Sequence, residues 1–352
     1  MRVGLIVPMH TPPTGGNLIS AQRLQAGLTQ LGISSTIESL HSPLPPYDIY
    51  HAWNAVQTGQ ALIQQGINPQ KILITWTGTD VWGDWVDDSV AIRQHLHAIE
   101  HHVVFTPIIQ RRLLQDAPEW APRVQVIPPS VDETLFFPSA GKTSRDNLLI
   151  VMAGGIRSVK RNAWAITLVE QARQALGLNL RLALLGPVRQ EDEWRRVLNS
   201  TQDRPWVQVV GEVPKTGMAD WYRQAGIVLN TSHIEGVSNA LMEAMACGSL
   251  ILATNIPGNR YLIDPQKTGL VFESDRDFVQ AVGWVFSHPI EVEQLRHHAR
   301  QRIVSQHRSE HEAQRYVTLY REALQSKPSW MATPMRSRHL EMKTGTNSRS
   351  PL

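Results

Sequence analysis

The chain has 352 residues, 42% of them hydrophobic and 18% charged, values that exclude a disordered chain and leave enough apolar material for two cores rather than one. Its formal net charge is +3, yet five of the 34 basic residues and only one of the 31 acids lie beyond Ser326; the rest is near neutral and argues against a nucleic-acid surface. One cysteine, Cys247, excludes an internal disulfide and fits a reducing cytoplasm, and the apolar start is cut short by Pro8, too soon for a signal segment or a membrane span.

Val3 to Val7 reads as a buried strand, and the loop from His10 to Gly16 opens a helix from Asn17 to about Leu31. The pair Gly15 and Gly16 either brings backbone close to a ligand or simply makes a turn. Strands follow at Ile49 to His51, Lys71 to Trp76, Val103 to Thr106 and Val124 to Ile127, with helices to about Gln65 and over 88–99 and 107–115. Repeated βα units imply a parallel sheet with right-handed crossovers.

Pro128 to Asp146 has no periodicity and reads as a linker. A second α/β series has strands at 148–152, 180–185, 207–210, 227–229, 250–253 and 270–272. Its helices fall at about 162–176, 190–199, 217–224, 239–247, 275–287 and 290–304. The layout is therefore a domain over 1–130, a linker over 131–146, a second domain over 147–308, a terminal helix over 309–326 crossing back to the first domain, and a basic tail over 327–352 that lacks an apolar period and is expected to be disordered.

The stretch from Ile227 to Phe272 is the most informative. Between Glu235 and Arg260 the only charge is Glu243, about one turn into a helix of Ala, Leu, Met and Cys. A buried carboxylate needs partners. Either Glu243 sits in a structural pair and Glu235 is an ordinary loop acid, or both accept hydrogen bonds from the hydroxyls of a bound polyol while the amides of Gly236, Val237, Ser238, Asn239 and Ala240 hold an anion at the helix start. Ligands of open α/β sheets lie beyond the carboxyl ends of the strands, and the strand ending at Ala153 leads into Gly154-Gly155-Ile156-Arg157-Ser158-Val159-Lys160. Arg157 and Lys160 can reach one diphosphate, the first as a planar fork and the second as a point charge; as a mere solvated helix start they would be unfavourable.

The string Glu-Gly-x-Ser-Asn-x-Leu-x-Glu-Ala-x-Ala-x-Gly from Glu235, followed by Pro257-Gly258-Asn259, resembles the donor-site signature of the family 4 (group 1) retaining glycosyltransferases. Thr14 to Arg23, Gly78 to Asp80, Phe105 to Pro107 and Gly154 to Lys160 further resemble the glycosyltransferase 1 domain-containing branch, so that the similarity covers about Met1 to Ala323. The resemblance implies an α/β protein of GT-B architecture, two Rossmann-like domains facing a cleft, that moves a sugar from a nucleotide-sugar to an acceptor with retention. It implies Arg157 and Lys160 on the leaving diphosphate, Glu235 on donor-sugar hydroxyls and Glu243 on the ribose diol. Gly16, Gly155 and the helix-start residues 236–239 would contact the donor, and Val213, after Gly211-Glu212, would lie at the base.

Arg157 and Lys160 stand one residue closer than is usual in the family, so Lys160 and Arg161 can exchange roles. Where many members carry a sugar-side His the chain reads Trp76-Thr77-Gly78-Thr79-Asp80, leaving Thr77 or Asp80 as substitutes; His51 resembles another family His, with packing inside the sheet as the alternative. His97 and His101 share a helical face but lack a third ligand, and Asp84, Asp87, Asp88 and Glu191 to Glu193 suit helix starts. No metal and no cofactor beyond the co-substrate is expected. Peripheral membrane contact stays open for the basic tail, and a nucleotide-sugar epimerase or a non-catalytic nucleotide-sugar-binding protein are the alternatives on the same fold.

Overall fold

In the computed structural model, described for residues 1–9, 11–41, 43–139 and 146–325, two six-stranded sheets divide the chain. The first contains β1 (Arg2–Val7), β2 (Ser34–Ser39), β3 (Ile49–Trp53), β4 (Ile72–Trp76), β5 (His101–Val104) and β6 (Val124–Val126), in the order β2-β1-β3-β4-β5-β6. The second contains β7 (Asp146–Ala153), β8 (Arg181–Leu185), β9 (Val207–Gly211), β10 (Ala225–Asn230), β11 (Ile251–Thr254) and β12 (Leu270–Phe272), in the order β12-β11-β10-β7-β8-β9. Every strand pair is parallel. Central strands such as β3 (IYHAW) and β4 (ILITW) are buried along their whole length, which is why they are mostly apolar, with His51 and Thr75 as the buried polar exceptions.

The first sheet is wrapped by α1 (Gly16–Gln30), α2 (Gln60–Gln64), α3 (Trp85–Leu96) and α4 (Pro107–Asp116), the second by α5 (Asn162–Leu176), α6 (Glu191–Thr201), α7 (Lys215–Gln224), α8 (Asn239–Ala246), α9 (Pro257–Leu262), α10 (Asp275–Ser287) and α11 (Pro289–Gln306). Three elements depart from the sequence reading. β2 reads SSTIES and is half exposed at the sheet edge; its pairing with β1 along six residues supplies what its side chains do not advertise. Helix α3 begins at Trp85, before residue 88, because a π turn at Asp80–Asp84 buries Val81 and delivers Trp85 to the core, with a kink at Asp88 (φ −151°, ψ 66°). A short α9 starts on Pro257, whose missing N–H costs nothing at a first helical turn.

The last helix, α12 (Ser309–Gln325), lies on α1 and the first sheet, where Ala313, Tyr316, Leu319 and Tyr320 join Val3, Leu5, Leu24 and Leu28 in one cluster. A Cβ on Gly27 of α1 would lie 2.8 Å from the Ala313 Cβ, so glycine sets how closely the two helices approach. The chain thus passes between the halves twice, and the two passages touch: Val131 N donates to the His307 carbonyl at 2.9 Å and Ser309 Oγ to the Val131 carbonyl at 3.0 Å. The basic tail over 327–352 and positions 140–145 of the linker lie outside the described residues. Among the described residues no helix is long and apolar enough to cross a membrane.

Candidate functional site

At the carboxyl end of β10 the apolar strand stops at Asn230, and a polar cluster begins. Glu235 forms an ion pair with Lys160 Nζ through Oε1, and the same oxygen accepts from Ser232 Oγ (2.8 Å) and Asn230 Nδ2 (3.2 Å). Oε2 takes none of these bonds. Lys160 and Glu235 side chains are each 11% exposed. Burial alone would raise the Glu235 carboxyl, but the Lys160 charge and these donors outweigh it and hold the group below its ordinary value. Asn230 Oδ1 in turn accepts from Ser232 N and from buried Asn259, which is also tied to Thr254. The cluster is a rigid bracket that fixes one oxygen of the carboxylate.

Lys160 reaches this bracket because Gly154, at φ +146°, leaves room for its stem: a Cβ there would lie 3.3 Å from Lys160 Cε. Gly155 is tighter still against Arg189 Cγ, at 2.7 Å from an added Cβ. Arg157 presents its guanidinium half-buried, with no ion pair among the described residues. Lys160, and not Arg161, pairs with Glu235. Arg161 adopts φ +55°, donates from Nε to the Thr231 carbonyl at 2.7 Å and stacks 4.0 Å above the Trp164 ring.

Three residues past Glu235, Ser238 caps α8, its Oγ accepting from Leu241 N at 3.5 Å. Glu243, on the next turn, accepts from Tyr222 Oη at 3.0 Å through Oε2. Among the described residues no cation pairs with it directly, although Lys215 and Arg23 are close enough to act on it, and burial pushes its pKa up to about 7. Glu243 lines a narrow cavity with Arg23, Asn239, Lys215, Asp132 and Ser130, where Lys215 is itself paired to Asp132 at 3.1 Å. Val213 sits partly buried beside the same core, against Gly217.

Besides the hydrogen bond from Arg23 Nη1 to Asn239 Oδ1 at 3.2 Å, the first half meets this site along three contacts. A Cβ on Gly78 (φ +112°) would fall 2.5 Å from Gly236 Cα, and one on Gly236 would fall 2.6 Å from the Thr77 carbonyl, so both positions demand glycine where the loops touch. Val237 packs against core clusters of both halves. Thr14 Oγ1 donates to Glu212 and accepts from Arg189 Nη2 at 2.9 Å, while Gly16 beside it opens α1 onto free space.

Two first-half assignments are corrected by the structure. His51 is fully buried on β3, hydrogen-bonded through Nδ1 to Tyr320 Oη (2.7 Å) and through Nε2 to Thr75 Oγ1 (2.6 Å) and stacked on Trp53. Burial drives its pKa down to about 3; it is a neutral core residue beneath α12 and no sugar contact. Asp80 is also fully buried, its oxygens taken by the amides of Ala55, Thr77 and Gly78 at 2.8–3.2 Å. Burial raises its pKa to about 6 against the pull of those amides. Asp80 therefore holds the Thr77–Gly78 loop in place. Thr77, whose buried Oγ1 has no hydrogen-bond partner among the described residues, is the one left at the cleft. Among the described residues no group of three or more His, Cys, Asp or Glu is placed to hold a metal.

Residues 147–288, the sheet that carries Lys160, Glu235 and Glu243, match the family described as glycosyl transferases group 1. Over this stretch the chain is similar to a group 1 glycosyltransferase domain. It is 28% identical over 192 residues to the glycosyltransferase 1 domain-containing protein 1 of Xenopus tropicalis, covering 54% of this chain and 55% of that one. It is 27% identical over 162 residues to the D-inositol 3-phosphate glycosyltransferase of Paenarthrobacter aurescens, covering 43% and 40%. The chain therefore spans about half the length of these relatives, or less.

Beyond the matched stretch, the whole fold resembles two solved structures. Sucrose-phosphate synthase of Thermosynechococcus elongatus superposes with a TM-score of 0.77 at 19% identity over 92% of this chain and 98% of that one. HepE of Anabaena, solved with UDP and glucose, superposes with 0.73 at 12% identity over 92% and 100%. The architecture is GT-B.

Within the matched stretch the sequence reading passes over Asn230, Ser232 and Tyr222, and names Asn259 only as part of a family word. Asn230 carries a readable signal, a polar residue closing an apolar strand. Tyr222 carries none, because only the folding of α7 against α8 brings it to Glu243. Arg23, from the other half, was legible only as part of a family word.

Proposed function

We propose that the protein transfers a sugar from a nucleotide-sugar donor to an acceptor with retention at the anomeric carbon, the donor held by residues 147–308 and the acceptor by residues 1–130. The observation that carries this reading is the pair of carboxylates on one loop and helix start, Glu235 and Glu243, each with one oxygen anchored by protein donors. The two remaining oxygens suit the hydroxyl pairs of a hexose and a ribose. Arg157, Lys160 and the amide end of α8 would take the charge that develops on the leaving diphosphate, acting in a mostly dry site where fixed charges are worth most. Val213 would lie at the base, Gly16 and Gly155 would let backbone approach the phosphates, and Thr77 would face the sugar. The matches to sugar-nucleotide enzymes support the reading.

The test is incubation with UDP- and GDP-sugars, following nucleoside diphosphate release and the anomeric configuration of the product by NMR. Release with retained configuration supports the proposal. Inverted product sinks the retaining mechanism. An epimerised donor without release would favour an isomerase, and binding without release under any acceptor would favour a sensor.

A further inference from the structure

Glu235 is fixed twice. Its side chain is held by the bracket of Lys160, Ser232 and Asn230, all in the second half. Its backbone is held by glycines. Gly258 of α9 lies against the Glu235 carbonyl, and a Cβ added to it would come within 2.8 Å of the Glu235 Cβ. Gly78 of the first half would bring a Cβ within 2.5 Å of Gly236 Cα and 3.5 Å of the Glu235 carbonyl carbon. Packing this close leaves no slack: a shift of the Thr77–Gly78 turn by the width of a methyl group must either move the Glu235–Gly236 turn or part the two halves.

Asp80 sets the Thr77–Gly78 turn. Its Oδ1 accepts from Thr77 N at 2.9 Å and from Gly78 N at 2.8 Å, and its Oδ2 accepts from Ala55 N at 2.9 Å. One fully buried carboxylate thereby ties together the ends of the neighbouring strands β3 and β4. The Gly78 carbonyl is taken in turn by Val81 N at 3.1 Å and Trp82 N at 2.9 Å. Three amide donors converging on two oxygens call for a group that only accepts, which an ionised carboxylate is and a side-chain amide is not. Gly78 itself, at φ +112°, has no side chain with which to hold its place, so the position of the turn rests on Asp80.

Resting on the reading of Glu235 as the residue that orients the donor sugar, we propose that Asp80 is a positioning residue for the transfer: it sets the first-half turn on which Glu235 and Gly236 seat, and so aims the Glu235 oxygen that the bracket leaves free. Asp80, its own oxygens taken by amides, touches neither sugar nor phosphate. The sugar-orienting carboxylate is then aligned only when the two halves are docked, and the first half takes part in using the donor through a backbone contact.

The experiment measures UDP and UDP-glucose binding by calorimetry, together with UDP release from UDP-glucose, in Asp80→Asn, Glu235→Gln and the double variant. Asparagine keeps the volume and one acceptor but turns an N–H toward an amide donor. Asp80→Asn should bind UDP as the parent does, while losing about tenfold in UDP-glucose affinity and up to about a hundredfold in UDP release, the effect of a misplaced orienting group. In the double variant Asp80→Asn should add nothing to the UDP-glucose affinity lost through Glu235→Gln, the mark of one residue acting through another. Gly78→Ala, which leaves Asp80 intact and presses a methyl group on Gly236, should reproduce the pattern and stands in if Asp80→Asn does not fold. An equal loss for UDP and UDP-glucose overturns the proposal, because that pattern belongs to a residue that only supports the fold. Unchanged UDP-glucose affinity and release in a folded variant overturns it as well, and so does a loss that adds in full to that of Glu235→Gln. The donor reading fails separately: if Glu235→Gln weakens UDP and UDP-glucose alike, Glu235 has no sugar role. GDP and GDP-mannose replace the uridine pair if the parent binds GDP instead, and a parent that binds neither nucleotide overturns the donor reading and the proposal with it.

Discussion

Glu235 and Glu243 stand eight positions apart on one loop and helix, are both largely enclosed, and end in opposite electrostatic states. Lys160 sits on Glu235 and holds its carboxyl below the ordinary value. Glu243 has a phenol for a partner, and burial takes it up to about 7. The difference lies in what each neighbouring element delivers: the turn after β7 brings a cation to the first, whereas α7 brings the neutral Tyr222 to the second. On the proposed function, a charge held ready suits a site that orients a sugar while a diphosphate departs. A carboxyl near its midpoint suits a site whose remaining partners arrive with the ligand.

The largest effect should come from making Glu235 resemble Glu243. Lys160→Ala leaves a mostly buried carboxylate without its cation, so stability at pH 8 should fall by about 3 kcal/mol and turnover by two or more orders of magnitude, read by chemical denaturation and diphosphate release. Adding Glu235→Gln should restore most of the stability and none of the turnover. A single variant as stable as the parent would show that the ion pair does not set the state of Glu235.

Next comes the opposite manoeuvre on Glu243. Its folded pKa of about 7 lies above the ordinary 4.5, so the folded protein binds the proton more tightly than the unfolded chain. Stability is then lost as pH rises from about 4.5 through 7, by up to about 3 kcal/mol. Glu243→Gln should remove that slope and leave the free protein at pH 8 as stable as the parent or more so, while weakening nucleotide binding by about 1 to 3 kcal/mol. In the parent, UDP affinity should tighten from pH 6 to pH 8; in the variant it should stay flat. A destabilised variant with full affinity would make Glu243 a structural partner of Tyr222 and nothing more.

How much of this could be read from residue order follows the range of each contact. Lys160, Glu235 and Glu243 were legible because a strand, a loop and a helix start each fix geometry over a few residues. The bracket of Asn230 and Ser232 lies in the same string. Arg23 meets Asn239 across 216 positions and Tyr222 meets Glu243 only through helix packing, so no local pattern encodes either. His51 misleads for the same reason: whether a strand-end histidine faces a ligand or a core depends on Tyr320, 269 positions away on α12. The edge strand β2 escaped because its register comes from β1 and its own side chains are polar.

Arg157 tests whether the phosphate side belongs energetically with Glu235. Its guanidinium has no ion pair among the described residues, so Arg157→Ala should leave the melting temperature unchanged. It should weaken UDP binding by about 1.5 to 3 kcal/mol, the worth of a charge-assisted bond. Equal calorimetric affinity for variant and parent would place the diphosphate elsewhere.

The smallest effect should appear at the cleft mouth, where Thr14 joins Arg189 and Glu212 across the two halves. Arg189 and Glu212 are exposed, so water and salt screen this contact in a way they cannot screen Lys160 and Glu235, and exposed pairs contribute about 0 to 1 kcal/mol. Thr14→Val removes the hydroxyl that links them while keeping the shape of the loop. Stability should change by less than about 0.5 kcal/mol, and the difference between variant and parent should vanish in molar salt. Because the link holds the halves together only at their rim, its loss should show instead as faster exchange of the amides around Gly78 and Gly236, with no change in nucleotide affinity at saturation. A drop in stability comparable to that of Lys160→Ala would mean that the rim and the bracket are one cooperative unit, and the contrast between an exposed contact and an enclosed one would no longer explain how the two halves are joined.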